Sequence, residues 1–513
     1  MMKIMANLQN GIVAAFLEQL KGYFINDKPS VQSQLIMFSI SIFILNRISS
    51  VREMYTNCIS KFVNIHINNF YKAFKEEEFQ KYWIEYTVKL ALALIPDDFR
   101  KYPIYLIIDD TLIEKFGTHF DDFSKLYDHC RRNGTDFIFG HCFVSIVLLI
   151  PVYNINRPGC IEYIRIPLEH RLWIPKNKEV TKKDEQNKLQ IAKDMIENVI
   201  NIMKKYGFKI ENETNESNKE TSNRDMESTE LSLSDDSNTT DKNHTEAKDA
   251  TNNDTIKLII LCDAWYSKGE IIDLVTRKDD KVNIIASVRI DTKMFDSPEY
   301  CGRGRKPLHG KPISAKKDSF DGLWVDVPGQ NYKVAYFRAQ IGIFDNQEAA
   351  AFVTQNKTTG ERRLFLCSDP DYFKQFTPAS LQLDAKTAKF LEKHPEIIPL
   401  LIYKRRWAIE TVYFEQKKYW GLQNYMLRRE NGFTSLVNLN NTLYALTSML
   451  PYLDKTFAYL ASLSMQERRS ALGSAFYKDL IFSKFLTGCE HMGNYEEISK
   501  YAMDFCNNNG AVM

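Results

Sequence analysis

The chain has 513 residues, 44% hydrophobic and 26% charged, the balance of an ordinary globular protein with room for two to four domains. A formal net charge of +2 gives no sign of a polyanionic partner while the chain is taken as a whole. Nine cysteines with no CxxC pair exclude a zinc module and favour free thiols in a reducing compartment. The longest apolar stretches, Ile36 to Leu45 and Cys142 to Tyr153, are too short for a bilayer, and the opening residues lack a signal-peptide core. A cytoplasmic protein without membrane association is expected.

Residues 1–97 read mainly as helices, through VAAFLEQLKGYF, VQSQLIMFSISIFILNRI and a long pattern ending at LALALI. A core begins near residue 98, with strands expected at 104–109, 136–152 and 161–168. A helix follows over 183–206, stopped by Gly207. Residues 211–255 hold 13 acidic and four basic side chains, a charge of −9, so the rest of the chain carries +11. This stretch has almost no apolar content and reads as a disordered insertion within the core. Beyond it come a strand at 256–262, a helix near 268–278 and a strand at 282–288, completing a core segment that runs to residue 290. Residues 291–385 read as β-rich, through LWVDV, YKVAYFRAQIGIF, AAAFVTQ and RRLFLCSD. Residues 386–430 complete the core with a helix, and 431–513 are helical again, with an apolar face for the core or for a second subunit.

Two apolar strands end in acids: IYLIIDDT carries Asp109 and Asp110, and IKLIILCDAWY carries Asp263. Ligands gather beyond the carboxyl ends of strands in open α/β sheets, so these acids are candidates for a shared site, although either alone also suits a turn or helix cap. Neighbours on a strand point to opposite faces, so only one of Asp109 and Asp110 can join it. The third acid lies in YKRRWAIETVYFEQKKYWGLQ. Read as one α-helix at about 100° per residue, Arg406, Glu410 and Lys417 fall at roughly 300°, 340° and 320° from Tyr403. One hydroxyl, two cations and one carboxylate then share a stripe, which suits a metal ligand beside a phosphate backbone. An all-carboxylate set favours Mg²⁺ or Mn²⁺. His119 and His141 read as surface or packing residues. Between Cys301 and Lys317 lie six Lys or Arg and no acid, so Arg303, Arg305 and Lys306 are candidates for a strap on the DNA backbone.

With these motifs in this order the chain resembles the cut-and-paste DDE transposases of bacterial insertion sequences, whose signature is Tyr-x2-Arg-x3-Glu-x6-Lys. Tyr403, Arg406, Glu410 and Lys417 meet that spacing in full. The family's Asp-x-Thr context matches Asp109 and Thr111, and its second Asp motif resembles Asp263-Ala264-Trp265-Tyr266. The resemblance spans roughly residues 100–430. It implies an α/β fold, a ribonuclease H-like mixed sheet flanked by helices, with a β-rich insertion and helical terminal regions. It further implies Asp109, Asp263 and Glu410 as catalytic ligands of two divalent ions, with Asp109 bridging. Tyr403, Arg406 and Lys417 would hold DNA, and Trp324 is the candidate for stacking a flipped base during hairpin formation. Double-stranded DNA is then the substrate, with no small-molecule substrate, and the enzyme acts as a homodimer, nucleoid-associated if the host is bacterial. By the same analogy residues 1–97 hold the element that recognises DNA ends, a helical packing region being the alternative. Two rivals remain: another ribonuclease H-like metal-dependent nuclease, and a catalytically inactive DNA-binding protein derived from a transposase.

Overall fold

A computed structural model describes residues 11–509 apart from 46–49, 75–77, 118, 129–130, 132–133, 176–186, 211–254, 278, 280–281, 300–301, 303–304, 306, 377–383 and 490–491. The nearly continuous apolar runs form the inner strands, as burial on both faces requires. β1 (Ile104–Glu114) is central. β2 (Ser124–Tyr127), β3 (Phe137–Tyr153) and β4 (Ile161–Trp173) form antiparallel ladders on one side of it, β3 pairing with β1, β2 and β4. On the other side lie β5 (Leu258–Cys262), parallel to β1, and β6 (Asn283–Val288), parallel to β5. The parallel pairs need helical crossovers. They are α5 (Lys188–Lys205), whose buried residues recur at helical spacing from Ile191 to Met203, and α6 (Glu270–Thr276). α1 to α4 precede β1: Gly11–Tyr23, Pro29–Ile44, Ile67–Ala73 and Glu78–Ala93.

The β-rich stretch 291–385 extends this same sheet. β12 (Arg362–Cys367) pairs antiparallel with β6, and β11 (Gln347–Asn356) and β10 (Tyr332–Ile341) follow outward. The short strands β7 (Met294–Phe295), β8 (Pro312–Ile313) and β9 (Trp324–Asp326) finish the edge. All twelve belong to one sheet, β8-β7-β10-β11-β12-β6-β5-β1-β3-β2, with β4 on β3 and β9 on β10. The acidic segment 211–254 lies outside the described residues. Its two flanks, Lys209–Ile210 and Thr255–Ile256, pair in parallel, so the chain leaves and re-enters the core at one place.

Strand alternation divides β1 between two cores. Tyr105 and Ile107 face the cluster that holds α8 (Ile398–Tyr403), α9 (Trp407–Tyr419) and the terminal helices, and Leu106 and Ile108 face the cluster that holds α4, α5 and α6. Helix α7 (Ala385–Lys393) leads into α8, and α10 (Glu430–Leu453), α11 (Met465–Cys489) and α12 (Tyr495–Asn509) follow α9. α10 is buried along most of its length. Its Asn438 covers the backbone of β4, accepting from His170 N at 2.8 Å and donating to His170 O at 3.0 Å.

The N-terminal helices pack into the same cluster as the C-terminal ones. Phe43 of α2 contacts Phe476 of α11 and Trp420 just beyond α9, with ring centres 5.4 and 5.5 Å apart. The buried Arg469 donates to the carbonyls of Ile42 in the last turn of α2 and of Leu45 just past it, satisfying acceptors that a helix end leaves open. A Cβ at Gly473 would lie 2.2 Å from Phe43 O, so glycine is what allows α11 to lie this close to α2. Among the described residues no helix is long and apolar enough to cross a membrane.

Candidate active site

The sequence placed the first acid at the end of a strand over 104–109, but β1 runs five residues beyond Asp109, so that acid sits within the strand. β5 stops at Cys262, and its last pair with β1 is Ile107 with Leu261. Two more residues in that register set Asp109 beside Asp263, at the point where β1 loses its parallel neighbour. The two charges act on each other. Burial first, then Asp263 and Asp110, push the Asp109 carboxyl up from 3.8 to about 7, against the opposing pull of Arg406. Asp263 Oδ1 also accepts from Trp265 N at 2.9 Å and Tyr266 N at 3.2 Å, so it starts the turn after β5 as well as joining the acid pair.

Asp110 points to the other face. Lys188 at the start of α5 donates to its Oδ2 at 2.7 Å, and the Tyr266 hydroxyl and Cys142 thiol also reach it, each at 3.3 Å. Lys188 lies over the rings of Trp173 and Trp265, at 4.5 and 5.4 Å. Burial works against its charge, and Cys142 and Asp110 more than offset that. Sequence reasoning missed Lys188, which is 78 residues from its partner.

The signature run is not one uniform α-helix. It is helical throughout, but Lys404–Arg406 winds as a 3₁₀ turn between α8 and α9. The tighter pitch alters the angles expected from 100° per residue. Arg406 then spans two acids, donating from Nη1 to Asp109 Oδ2 at 3.3 Å and from Nη2 to Glu410. Burial opposes its charge, and Tyr403, Asp109 and Glu410 outweigh burial and hold it above its ordinary range. Arg405, one residue earlier, turns away and stacks 3.7 Å from the centre of the Tyr163 ring. Tyr403 packs edge-on against Phe365 of β12, at 5.1 Å, and burial raises its hydroxyl. Lys417 donates to Leu112 O at 3.0 Å, tying α9 to β1.

A buried polar chain sets the pitch of α9 against the sheet. Ser145 Oγ bonds His170 Nδ1 at 2.6 Å, His170 Nε2 meets Gln416 Oε1 at 3.0 Å, and Gln416 donates to Asn441 at 2.9 Å. Burial pushes His170 down to about 4, so it stays neutral here. His141 is a packing residue, as expected: it bonds the Tyr425 hydroxyl and Asp121 O, and stacks on Phe433 at 4.4 Å. His119 is exposed.

Arg406 also lines a cavity of about 400 Å³, bounded on the sheet side by Tyr332, Glu361, Arg363 and Phe365 and on the helix side by Tyr403, Lys404 and Trp407. Trp407 is exposed and is the aromatic that the sequence reading overlooked, although it stands next to Arg406. Trp324, the expected stacking residue, lies on the opposite face of the sheet. Arg363 faces the cavity, so its neighbour Arg362 faces away, and Arg362 lies 5.4 Å from the Trp324 ring. There the indole donates to Ser319 O at 2.8 Å, with Lys333 over its ring. Of the expected basic strap, Arg305 is exposed, and Arg303 and Lys306 lie outside the described residues.

The chain matches no family model and no curated protein.

The donor chemistry suits a hard divalent ion, since crowding already drives Asp109 toward protonation and a cation would relieve it. Yet among the described residues no three acidic, imidazole or thiol side chains stand close enough together to chelate one ion. Between Asp109 and Glu410 stands the Arg406 guanidinium.

Proposed function

We propose that the chain is a metal-dependent DNA transposase of the DDE type, built on a ribonuclease H-like core. The strand order β4-β3-β1-β5-β6, with β1, β5 and β6 parallel and β3 reversed, supports that core. The observation that carries the reading is the parallel register that sets Asp109 beside Asp263, with Glu410 joined to Asp109 through Arg406. Asp109, Asp263 and Glu410 would hold Mg²⁺ or Mn²⁺, which when bound supplies a Lewis acid for in-line displacement at phosphorus. Around them Arg406, Tyr403 and Trp407 offer a cation, a hydroxyl and an exposed ring to a strand end entering the cavity. Lys417 holds α9 against β1, which fixes where Glu410 sits. DNA ends as substrate and pairing of two copies on them belong to this same proposal.

The test is cleavage of DNA carrying the sequences that flank the coding region, with Mn²⁺ present. The native chain should nick it, and Asp109→Asn, Asp263→Asn and Glu410→Gln should each abolish nicking. Nicking that survives Asp263→Asn would refute the assignment. One observation favours a second reading, a DNA-binding protein that no longer cuts: Arg406 spans the acids, and no chelating trio stands among the described residues. Native protein that retards this DNA yet never nicks it with Mn²⁺ would establish that reading instead.

A further inference from the structure

Arg406 touches two things at once. Its guanidinium bonds Asp109 and Glu410, and the same residue lines the cavity that neither acid reaches. With 13% of the side chain exposed, it is held largely within the protein. The resemblance gives it a phosphate-gripping role, but here one N–H from each terminal nitrogen is already held by a carboxylate. The carboxylates for their part cannot close on one ion while a planar cation stands between two of them.

We propose that Arg406 is an exchangeable internal cation: it holds Asp109 and Glu410 in register until a divalent ion takes its place, and once displaced it turns into the adjacent cavity to meet a DNA phosphate. This rests on the metal-centre reading above and adds a coupling to it. Two positive charges compete for the same two carboxylates, so ion binding and phosphate binding become mutually favourable. By linkage each must raise the affinity of the other by the same factor. The 3₁₀ turn supports the exchange, because Arg406 lies in it, at the junction of α8 and α9, while Glu410 lies within α9.

The experiment is calorimetric titration of Mn²⁺ into the DNA-free protein, native, Arg406→Gln, Arg406→Lys and Asp109→Asn, each checked for folding by circular dichroism. The proposal expects Arg406→Gln to bind Mn²⁺ on the order of 10-fold more tightly than the native chain, because a charged competitor is gone. Arg406→Lys, which keeps the charge and loses the two-carboxylate span, should fall between them, and it carries the test if the glutamine variant fails to fold. In a second measurement, Mn²⁺ should raise the affinity of the native protein for a short DNA duplex, read by fluorescence anisotropy, and leave that of Arg406→Gln unchanged. Equal or weaker Mn²⁺ binding by both arginine variants, with native binding still lost in Asp109→Asn, overturns the exchange and leaves the metal centre intact. No Mn²⁺ binding by any of the proteins overturns the metal centre and the exchange together.

Discussion

Asp109 and Asp110 are neighbours on one strand, equally accessible, with 20% and 22% of their side chains exposed, and yet they live in opposite electrostatic worlds. Asp110 is met by Lys188, Tyr266 and Cys142 on the α5 face. Asp109 is crowded by Asp263 on the α9 face and shares one guanidinium with Glu410. Exposure alone therefore does not separate the two: at Asp109 the cost of burial is joined by the charge of Asp263 and its cation is shared, while Asp110 has a lysine of its own. A carboxylate given a dedicated lysine is part of the architecture. One left facing a second acid is a charge excess that the fold maintains, and such excesses cluster where a protein does chemistry.

Exchanging the two acids should give the largest effect. Asp109→Asn should lower Mn²⁺-dependent DNA nicking by at least about 1,000-fold, as expected when a group acting directly on the reaction is removed. Asp110→Asn should retain nicking within about 10-fold, since its neighbours face the other core. Loss in Asp110→Asn with retention in Asp109→Asn, measured side by side, would reverse the assignment.

The next effect is on stability. Lys188→Met removes the partner of a half-buried carboxylate and should cost about 2–4 kcal/mol in urea unfolding, less than a fully buried pair because both groups keep some water. The double variant with Asp110→Asn should recover a large part of that loss. If Lys188→Met alone changes the unfolding midpoint by no more than a surface substitution does, Asp110 is not held as described.

Much of this contrast could be read from the sequence, and the part that could not has a physical cause. The apolar runs around Ile104–Ile108 and Leu258–Cys262 marked the strands, and alternation alone said that Asp109 and Asp110 face apart. Which face each takes depends on what covers the sheet, and Lys188 comes from a helix beyond a long β-hairpin. Trp324 failed for a related reason: its face is set by pairing across β10, β11 and β12, which no local pattern reveals. The 3₁₀ turn at Lys404–Arg406 was hidden because its residues suit an α-helix equally well. The β-rich stretch was legible as strands, but its merger with the central sheet rests on the β6–β12 ladder, between segments some 75 residues apart.

The pH dependence of stability sharpens the comparison further. Asp109 ionises near 3.8 in the unfolded chain and near 7 when folded. Between those values the unfolded state has lost its proton and the folded state keeps it. Stability without divalent ions should therefore fall as pH rises from about 4 to about 7, and this contribution should level off above that. The shift corresponds to an upper limit of about 4 kcal/mol. Asp109→Asn should remove that part of the slope and leave the variant more stable than the native chain at pH 8.5, by on the order of 1–3 kcal/mol. Urea unfolding at pH 5.5 and 8.5 decides it: an unchanged slope in the variant means that Asp109 is not the crowded group. Added Mn²⁺ should narrow the difference at pH 8.5, because a bound ion favours the ionised carboxylate.

The smallest effect tests the quiet side. The Tyr266 hydroxyl donates to Asp110 Oδ1 at 3.3 Å, a long bond beside a 2.7 Å ion pair that already neutralises the carboxylate. Tyr266→Phe keeps the buried ring and should cost about 0.5–1.5 kcal/mol in urea unfolding, the range of a single net hydrogen bond. It should leave nicking unchanged, because Lys188 still holds the Asp110 carboxylate at 2.7 Å, so the charge that Asp109 meets from it stays the same. Should nicking fall with Tyr266→Phe while stability stays level, the two faces of β1 would be coupled through the turn in which Asp263 Oδ1 binds Trp265 N and Tyr266 N. The sharp division drawn between the two acids would then give way to one continuous site wrapped around the end of β5.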